Sequence, residues 1–557
     1  LVPALHANPI NPNPKPHNNP MKFVTGLLKF VLVTFGVLVL ALTGVLWMDQ
    51  QRTEYLKPEN RLPAFAEGAI LLTNVQLVPM TADTVLSGMA VYLKDGVIRR
   101  IVEEKTLDEF DGVDDFDEVG GLEEVDELWY REGNFTRVDA EGRYLMPGLI
   151  DMHVHLWDRY ELGLYLANGV TAVRNVWGMP MHLRMKEEAR RGEYLSPRIY
   201  TTGPKLTGSE VIDGSNWQLS DVEEARARVR AFHDEGYDFV KTYYGLSREL
   251  FEAILAEASE LGIDVVAHPT PGVAFSDHVH PQIRSIEHVE DVVQQALEFQ
   301  MDSLALQQVL DGLMREAEAI GMGSSRGGFG EQGEPHQPDP NTNKVRYEVQ
   351  YEVRYCPTMT VFHNITRMLR EDSILTSDSL AFMNPLVQLV DSKAQFERWS
   401  GAKAQDPGVV DRLEAQHAFH LEIVRAMHES GVTLIAGTDA GIGVTMPGFS
   451  IHEELAFYRE AGLSNFEVLR TATVNAAGTH GVMGDLGSIE EGKAASLLLL
   501  DGNPLEDLGV LRDPVVVFLD GVPLGRAQLG RMKERASGRK NRVATGVRYV
   551  ENLVQEW

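Results

Sequence analysis

The chain contains 557 residues, of which 44% are hydrophobic, and its formal net charge is −30 at pH 7. This length and apolar content indicate an α/β protein with a large core and more than one domain. The acidic balance argues against nucleic acid as a partner, because phosphate contacts need a basic face. The one cysteine, Cys356, excludes an intrachain disulfide and a thiolate zinc cluster, so a metal site would need nitrogen and oxygen ligands.

The N-terminal region combines an irregular segment with a long apolar run. Residues 1–20 are rich in Pro and Asn and show no hydrophobic period, so we interpret them as a disordered or non-native tail before a natural start at Met21. The run from Phe30 to Trp47 carries no charge. Its length of 18 residues is enough for a helix to cross the hydrocarbon core of a membrane. A cleaved signal peptide is the alternative, although no small-x-small cleavage site follows the run.

Charges on either side of the apolar run predict its orientation. Lys22 and Lys29 precede the run and Asp49 follows it, and the positive-inside tendency places the N-terminus in the cytoplasm. We therefore predict a transmembrane signal anchor over 21–48 and a linker over 49–68. The rest of the chain would be membrane-anchored on the non-cytoplasmic (periplasmic or extracellular) side.

Strand patterns occur near both ends of the remaining chain. Residues 69–146 include two β-rich runs joined by a Lys-Asp-Gly turn, which is a hairpin pattern, and residues 481–526 return to a β pattern with tight turns. We predict that these segments form one small split β-sandwich, interrupted by a solvated acidic insert at 103–132. Residues 527–557 form a C-terminal tail to which we assign no function.

Between these segments, residues 147–480 alternate apolar strands with amphipathic helices. The predicted strands cover 149–155, 169–176, 197–203, 237–244, 263–269, 284–289, 352–362 and 432–440. Eight strands with helical crossovers predict a (β/α)8 TIM barrel of the α/β class. An insertion at about 320–430 lengthens the interval before the last strand, and its position is typical of a lid or a specificity region over the barrel mouth.

Ionisable side chains stand at the C-terminal ends of several predicted strands, where barrel enzymes place their active sites. They are His153, His155, Lys241, His268, His288 and Asp439. His153 and His155 are two residues apart on a strand, so both point to the same face. Each residue alone has an ordinary structural explanation, such as a turn or a surface histidine. Together they indicate a shared partner, because buried polar groups without partners are costly, and a pair of divalent metal ions would supply one.

The motifs around these residues resemble the amidohydrolase superfamily of metal-dependent hydrolases. The resemblance is carried by "PGLIDMHVH" at the first strand, by Lys, His, His and Asp in that order along the chain, and by "TATVNAAGTHGVMGDLGSIEEGKAASLLLLDGNP" after the barrel. It extends from about Ala69 to Leu524. The segments "VKTYYGLSRELFEAIL" and "RSIEHVED" are most similar to the branch that includes imidazolonepropionase-like proteins and Xaa-Pro dipeptidases.

The resemblance implies a binuclear centre of two divalent metal ions, with zinc as the expected metal. The implied ligands are His153, His155 and Asp439 for one ion, His268 and His288 for the other, and Lys241, carboxylated to a carbamate, as the bridge. A metal-bridging hydroxide would be the nucleophile, and Asp439 would act as general base and then as general acid toward the leaving amine. A lysine must be neutral to form a carbamate, and burial between apolar neighbours lowers its pKa.

Three further residues are candidates for contact with the substrate. Tyr243 is two residues from Lys241, so it faces the same side and would serve in catalysis by donating a hydrogen bond to the substrate carbonyl oxygen; barrel packing is its alternative role. Arg174, on the second predicted strand, would bind a substrate carboxylate or pair internally. His363, just after the seventh predicted strand, would bind substrate.

These features predict a metal-dependent hydrolase that cleaves an amide or peptide C–N bond in a small molecule or a short peptide. A dipeptidase, or a hydrolase of lactones, esters or organophosphates, would use the same site. A Schiff-base lyase that uses Lys241 as its nucleophile and a membrane-tethered scaffold without activity are remote alternatives, and the full set of ligands argues against both. The sequence leaves the formation of homo-oligomers open.

Overall fold

The computed structural model describes residues 20–58, 69–109, 129–132, 135–208, 216–270, 272–290, 353–371, 373–376 and 378–555. The chain divides into two compact units, residues 1–52 and residues 53–557, and each is described by itself. Our predictions for residues 1–19, for the centre of the acidic insert (110–128) and for residues 320–352 of the insertion lie outside the described residues.

The first unit is described by one helix, α1, which spans Pro20–Arg52 and has 33 residues. Within it, the stretch Leu28–Arg52 is long and apolar enough to cross a membrane, with a mean hydropathy of 2.5. Its apolar side chains, such as Phe30 and Leu40, are exposed. The helix continues past residue 48, so the predicted linker at 49–68 begins as helix rather than as irregular chain.

Nine strands from both ends of the chain join in one sheet. They are β1 (Ala69–Leu77), β2 (Leu86–Lys94), β3 (Val97–Glu103), β4 (Trp129–Glu132), β5 (Phe135–Asp139), β6 (Tyr144–Pro147), β16 (Leu497–Leu500), β17 (Val516–Leu519) and β18 (Val522–Gly525). Their order is β18-β17-β16-β6-β1-β2-β3, with β5 paired to β1 and β4 paired to β5.

This sheet connects the two ends of the chain through β6 and β16. Leu498 pairs with Met146 in an antiparallel register. All four leucines of β16 are buried, and two of them, Leu497 and Leu499, complete the core of the early strands. The acidic insert predicted at 103–132 starts at the last residue of β3, continues as a 3-10 helix over Glu104–Glu109 and ends with β4. The separation of this sheet as a sandwich domain over 69–146 and 481–526 stays a prediction.

The remaining strands are parallel and form two further sheets. They are β7 (Leu149–Val154), β8 (Val170–Asn175), β9 (Arg198–Thr201), β10 (Lys205–Thr207), β11 (Asn216–Gln218), β12 (Phe239–Thr242), β13 (Asp264–Ala267), β14 (Ile283–Glu287) and β15 (Arg354–Cys356). One sheet has the order β7-β8-β9 and the other the order β11-β10-β12-β13-β14-β15. Isolated parallel bridges also join Thr202 to Phe239, Tyr355 to Leu434, and Val154 to Ala440. The result is a TIM-barrel-like α/β fold.

Helices connect and cover these strands. They are α2 (Arg159–Ala167), α3 (Pro180–Arg190), α4 (Val222–Glu235), α5 (Arg248–Leu261), α6 (Met359–Arg370), α7 (Pro385–Val387), α8 (Lys393–Gln405), α9 (Val409–Glu429), α10 (Ser450–Glu460), α11 (Asn465–Thr471), α12 (Val474–Ala477), α13 (Arg526–Ser537) and α14 (Arg542–Gln555). Local sequence explains their ends. In α5, for example, the Ser247 hydroxyl accepts the Leu250 N–H at 3.2 Å, and Gly262 ends the helix with a φ of 69°.

Two of the eight predicted barrel strands differ in the structure. The seventh, predicted over 352–362, ends at Cys356, and α6 begins at Met359. Pro357 lies between them and has no N–H for a strand hydrogen bond, so the β-branched residues after it continue as helix. The eighth, predicted over 432–440, makes isolated bridges rather than a regular strand.

The C-terminal tail packs onto the second unit through its two helices. Helix α13 contacts α2, and α14 contacts α3 and α7. Between the two tail helices, the fully buried Arg539 side chain pairs with Asp158 at 3.4 Å and with Glu161 at 3.3 Å. The ring of Tyr549 in α14 lies 6.0 Å from that of Trp157. The tail, to which we assigned no function, therefore holds the loop that follows β7.

Candidate active site

The first candidate ligands lie at the end of β7 and meet the loop that contains Asp439. Nε2 of His155 lies 2.6 Å from Oδ1 of Asp439, and Nε2 of His153 lies 3.3 Å from the same oxygen. All three side chains are buried, with 1% of His153, 8% of His155 and 6% of Asp439 exposed. The structure therefore brings two imidazoles and one carboxylate to a single point.

Glycines on both sides of Asp439 allow this close approach. A Cβ atom added to Gly437 would lie 2.7 Å from the Cβ of His153, and one added to Gly441 would lie 2.0 Å from the carbonyl oxygen of His155. Asp439 itself has a φ of 59°, a left-handed conformation that residues other than glycine rarely adopt. Such strained backbone is common at functional sites, where the surrounding structure holds it in place.

The second group of candidate ligands follows β13 and β14. The rings of His268 and His288 lie 4.9 Å apart, and the ring of His288 lies 4.7 Å from that of His153. Nδ1 of His288 lies 2.9 Å from the Thr358 hydroxyl oxygen, which fixes the orientation of the ring. His153, His288 and Asp439 each offer one ligand atom, and these three atoms lie within 4.8 Å of one another.

Lys241 lies on β12 and is 1% exposed. Its Nζ atom has no hydrogen-bond partner among the described residues. Burial lowers the pKa of Lys241 from its ordinary value to about 8, which increases the fraction of neutral amine near neutral pH. Tyr243, two residues further on, lies with its ring 4.5 Å from that of His268.

Burial sets the protonation states of the cluster. It lowers the pKa of His153 to about 4 and holds the pKa values of His268 and His288 well below their usual range. Burial acts to raise the pKa of Asp439, but His153 and His155 more than offset it, so this pKa is held well below its usual range. Neutral imidazole and ionised carboxylate are the forms that bind metal ions.

Glu287 orients His153 from beneath. Its Oε2 lies 2.6 Å from Nδ1 of His153, and its Oε1 accepts a hydrogen bond from Nη2 of Arg174 at 2.8 Å and another from the Ser285 hydroxyl. Burial acts to raise the pKa of Glu287, but Arg174 and His153 hold it well below its usual range. A carboxylate that takes one ring N–H of a histidine turns the other nitrogen toward a metal, here toward Asp439.

A cavity of about 370 Å³ adjoins the cluster. Its lining residues are His153, His155, Val176, Trp177, Lys205, Lys241, Tyr243, His268, His288, Val361, Phe362, Ile365, Asp391, Gln395, Asp439 and Ile442. All six candidate metal ligands therefore face one space, together with Tyr243. An apolar cavity with a few convergent polar groups is the usual form of a small-molecule site.

Two predicted substrate contacts are corrected by the structure. Arg174 does not line the cavity, because its fully buried guanidinium donates to Glu287, to Ser285 and to the Met152 carbonyl oxygen, so the internal pairing replaces the substrate contact. His363 does not line it either, because its ring packs against His417 on α9 and Phe457 on α10. The preceding residue on α6, Phe362, faces the cavity instead.

Our sequence analysis missed three residues of the site, namely Glu287, Trp177 and Lys205. The available signal was their position, because each lies within five residues of the C-terminal end of a parallel strand. The ring of Trp177 lies 5.5 Å from that of His155. The Nζ atom of Lys205 lies 4.1 Å from the centre of the Trp177 ring and 4.4 Å from that of Tyr243.

The side chains of the cluster fit divalent metal ions. Imidazole nitrogen and carboxylate oxygen are the donors that zinc and similar ions take in catalytic sites. Two buried nitrogen atoms, Nζ of Lys241 and Nδ1 of His155, have no hydrogen-bond partner among the described residues. Because buried polar atoms without partners are costly, this arrangement favours a further bound group over a closed protein network.

Part of the chain is similar to a family of known proteins. Residues 361–524 match the family model described as "Amidohydrolase family". Ochratoxinase from Aspergillus niger is 35% identical over 108 residues, which is 19% of this chain. The matched segment spans 22% of the length of that curated relative.

Solved structures share the fold over most of the chain. A bottromycin amidohydrolase aligns over 89% of this chain and 97% of its own, with a TM-score of 0.61 and 22% identity. A Xaa-Pro dipeptidase with bound methionine aligns over 82% of this chain and 100% of its own, with a TM-score of 0.55 and 19% identity. Residues 361–524 are thus similar to the amidohydrolase family, and both solved structures, at less than 25% identity, share the fold of this chain.

Proposed function

We propose that the protein is a metal-dependent hydrolase that cleaves an amide or peptide C–N bond in a small molecule or a short peptide. The family match and relatives named as an amidohydrolase, a dipeptidase and an ochratoxinase support an amide bond over an ester or a lactone. The observation that carries the proposal is the buried Nζ of Lys241, which has no hydrogen-bond partner in the described part of the chain and lies among four histidines and Asp439 in one cavity. The same four histidines argue against a Schiff-base lyase, which would have no use for them.

The proposal assigns the metal ligands as the resemblance implies. They are His153, His155 and Asp439 for one ion, His268 and His288 for a second, and Lys241 as a bridging carbamate. The neutral Lys241 amine would attack carbon dioxide, so that an N–C bond forms and the amine proton leaves to solvent. When bound, divalent ions such as zinc would acidify a water molecule and polarise the substrate carbonyl.

The protein side chains would then position and move protons. Asp439 is ionised and lies at the cavity wall, so it can accept a proton from the attacking water and return it to the leaving amine. Tyr243 lines the same cavity and would donate its phenol proton to the carbonyl oxygen as that oxygen gains charge. Glu287 would keep His153 in one tautomer throughout.

The finer architecture belongs to the same proposal. We propose that the parallel strands and the bridged segment at 432–440 close a complete (β/α)8 barrel within 147–480. The chain-end strands would form the split sandwich. Helix α1 would anchor the protein in a membrane with the catalytic body on the non-cytoplasmic side, which is supported by its length and hydropathy and by the flanking lysines.

The test is the metal content of the purified full-length protein with and without Lys241→Ala. We expect about two ions per chain in the parent, as in binuclear hydrolases, and fewer than one in the variant. Short-chain carboxylates such as propionate should restore part of the metal content and of the amidase activity of Lys241→Ala, because they replace the missing carbamate. Lys94→Ala is the matched control, since Lys94 is an exposed residue of β2.

Other results would redirect the assignment. One ion per chain that is unaffected by Lys241→Ala would indicate a mononuclear hydrolase. No bound metal, even after reconstitution with zinc, would overturn the hydrolase proposal. Trapping of a carbonyl substrate on Lys241 by borohydride would then favour the lyase.

A further inference from the structure

A second lysine faces the cavity and belongs to no set of candidate metal ligands. Lys205 lies on β10 and is 7% exposed, and its neighbour Leu206 is fully buried in the core. Because successive side chains of a strand point to opposite faces, the buried Leu206 turns Lys205 toward the cavity. A charged group at this place contacts whatever fills the cavity.

Two aromatic rings hold the Lys205 ammonium in place. Its Nζ lies 4.1 Å from the centre of the Trp177 ring and 4.4 Å from that of Tyr243, both within the range of cation–π attraction. Trp177 in turn contacts the ring of His155, and Tyr243 contacts the ring of His268. The ammonium therefore has a fixed position beside both halves of the candidate metal centre.

The charges that line the cavity differ in their roles. Asp391 accepts the Gly443 N–H at 2.6 Å and the Gln395 amide at 3.1 Å, so it stabilises its own loop. Asp439 faces His153 and His155. Bound divalent ions would add positive charge next to Lys205. This positive charge would attract an anionic group on a ligand. The attraction would be strong, because the cavity has a low dielectric constant.

The apolar residues of the cavity lining favour a ligand that also carries an apolar group. The apolar side chains that line the cavity are Val176, Val361, Phe362, Ile365 and Ile442. A volume of about 370 Å³ lies at the small end of ligand pockets. The cavity therefore suits a compact molecule that carries one anionic group and one apolar group.

We propose that Lys205 selects amides that carry a carboxylate, such as N-acylated amino acids with an apolar side chain. This proposal rests on the proposed amide hydrolysis and names the substrate class of that site. The Lys205 ammonium donates to the carboxylate while the ring faces of Trp177 and Tyr243 keep it from turning away. The carboxylate is not cleaved, and Lys205 takes no part in the proton transfers.

The test uses a panel of N-acyl amino acids and dipeptides, each paired with its C-terminal carboxamide. For the parent enzyme we expect kcat/KM to be about 10- to 100-fold higher for the carboxylate member, which is the usual strength of a charge-assisted hydrogen bond. Lys205→Met should reduce this ratio to about one through a higher KM for the carboxylate member of each pair. Lys205→Arg should retain part of the preference, because it keeps the charge.

Controls separate this proposal from the proposed function. Lys94→Met, on the exposed face of β2, should keep the full ratio, and the metal content of Lys205→Met should equal that of the parent. Equal rates for both members of each pair, or an undiminished ratio in Lys205→Met, would overturn the role of Lys205 and leave amide hydrolysis standing. Failure to cleave any member of the panel in the metal-loaded enzyme would instead overturn the proposed function, and this inference with it.

Discussion

Glu287 links the charges at the base of the site. It lies between the imidazole of His153 and the guanidinium of Arg174, and all three side chains are buried. Its negative charge balances Arg174 and at the same time fixes the tautomer of His153. One residue therefore contributes to the stability of the fold and to the geometry of a candidate metal ligand.

We expect Glu287→Gln to lower both stability and metal affinity. The variant keeps the size of the side chain but leaves Arg174 as a buried charge without its counter-charge, which costs about 3–5 kcal/mol. It also weakens the orientation of His153, and loss of such a contact reduces metal affinity about 10- to 100-fold. Denaturant unfolding and titration with a metal chelator measure the two effects.

Glu491→Gln is the matched control for this variant. Glu491 forms an exposed ion pair with Arg100 at 3.1 Å, and such pairs contribute about 0–1 kcal/mol. If Glu287→Gln were as stable as Glu491→Gln and bound metal as tightly as the parent, Glu287 would not have the role described here.

The histidine ligands could be predicted from sequence, whereas the residues that orient them could not. His153 and His155 share a face because they are two residues apart on a strand. The same rule places Glu287 and His288 on opposite faces, but the left-handed backbone of His288, with a φ of 69°, breaks the alternation at the strand end. The partner of Arg174 is Glu287, which lies 113 residues away in sequence. No local sequence pattern predicts a contact between residues so far apart in the chain.

At the scale of elements, the C-terminal tail holds the loop that follows the first ligand pair. Arg539 pairs with Asp158 and Glu161 without exposure to solvent. Glu161 accepts the Trp157 N–H at 2.8 Å, and the Trp157 indole donates to the Gly441 carbonyl oxygen at 2.8 Å. The tail thus connects to both sides of the site through Trp157.

We expect Arg539→Met to destabilise the protein by about 3–5 kcal/mol above pH 8, because burial raises the pKa of Glu161 to about 8 and its carboxylate would lose its cation there. The loop from Trp157 to Glu161 should loosen, so kcat/KM for an amide substrate should fall and tryptophan fluorescence should change before global unfolding. Arg526→Met, at the first residue of α13, is the control. Arg526 pairs with Asp501 at 2.7 Å on the surface, where the expected cost is about 0–1 kcal/mol. Equal stability of the two variants would contradict this role of the tail.

Helices and strands could be predicted from sequence where nearby residues, such as helix caps, mark their ends. Helix α5 follows a serine cap and ends at a glycine, and both residues can be recognised in the sequence. The seventh strand was extended too far, because the β-branched residues after Pro357 resemble a strand while the chain turns into α6. The tail has helical patterns in its sequence, but its function depends on Asp158 and Glu161, about 380 residues earlier.

At the scale of the whole molecule, hydropathy separates the first unit from the second. The apolar residues of α1 from Leu28 onward are mostly exposed. In contrast, many apolar side chains in the described part of the second unit form buried clusters. An apolar run of this length was recognisable from sequence because a membrane span needs no tertiary partner. For the proposed anchor, we expect changes in α1 to affect the location of the protein without affecting the site.

A double variant in α1, Leu38→Asp with Leu40→Asp, tests this separation in the full-length chain. Each aspartate at the centre of a membrane helix costs about 3 kcal/mol, so the variant should leave the membrane fraction, while the parent should resist extraction with alkaline carbonate. The metal content and the amidase activity per chain should be unchanged. Leu86→Asp is the control, because Leu86 is an exposed leucine of β2 and its substitution should not alter membrane retention. Release of the parent by carbonate would argue against an anchor, and a mature N-terminus beyond α1 would establish the cleaved signal peptide instead.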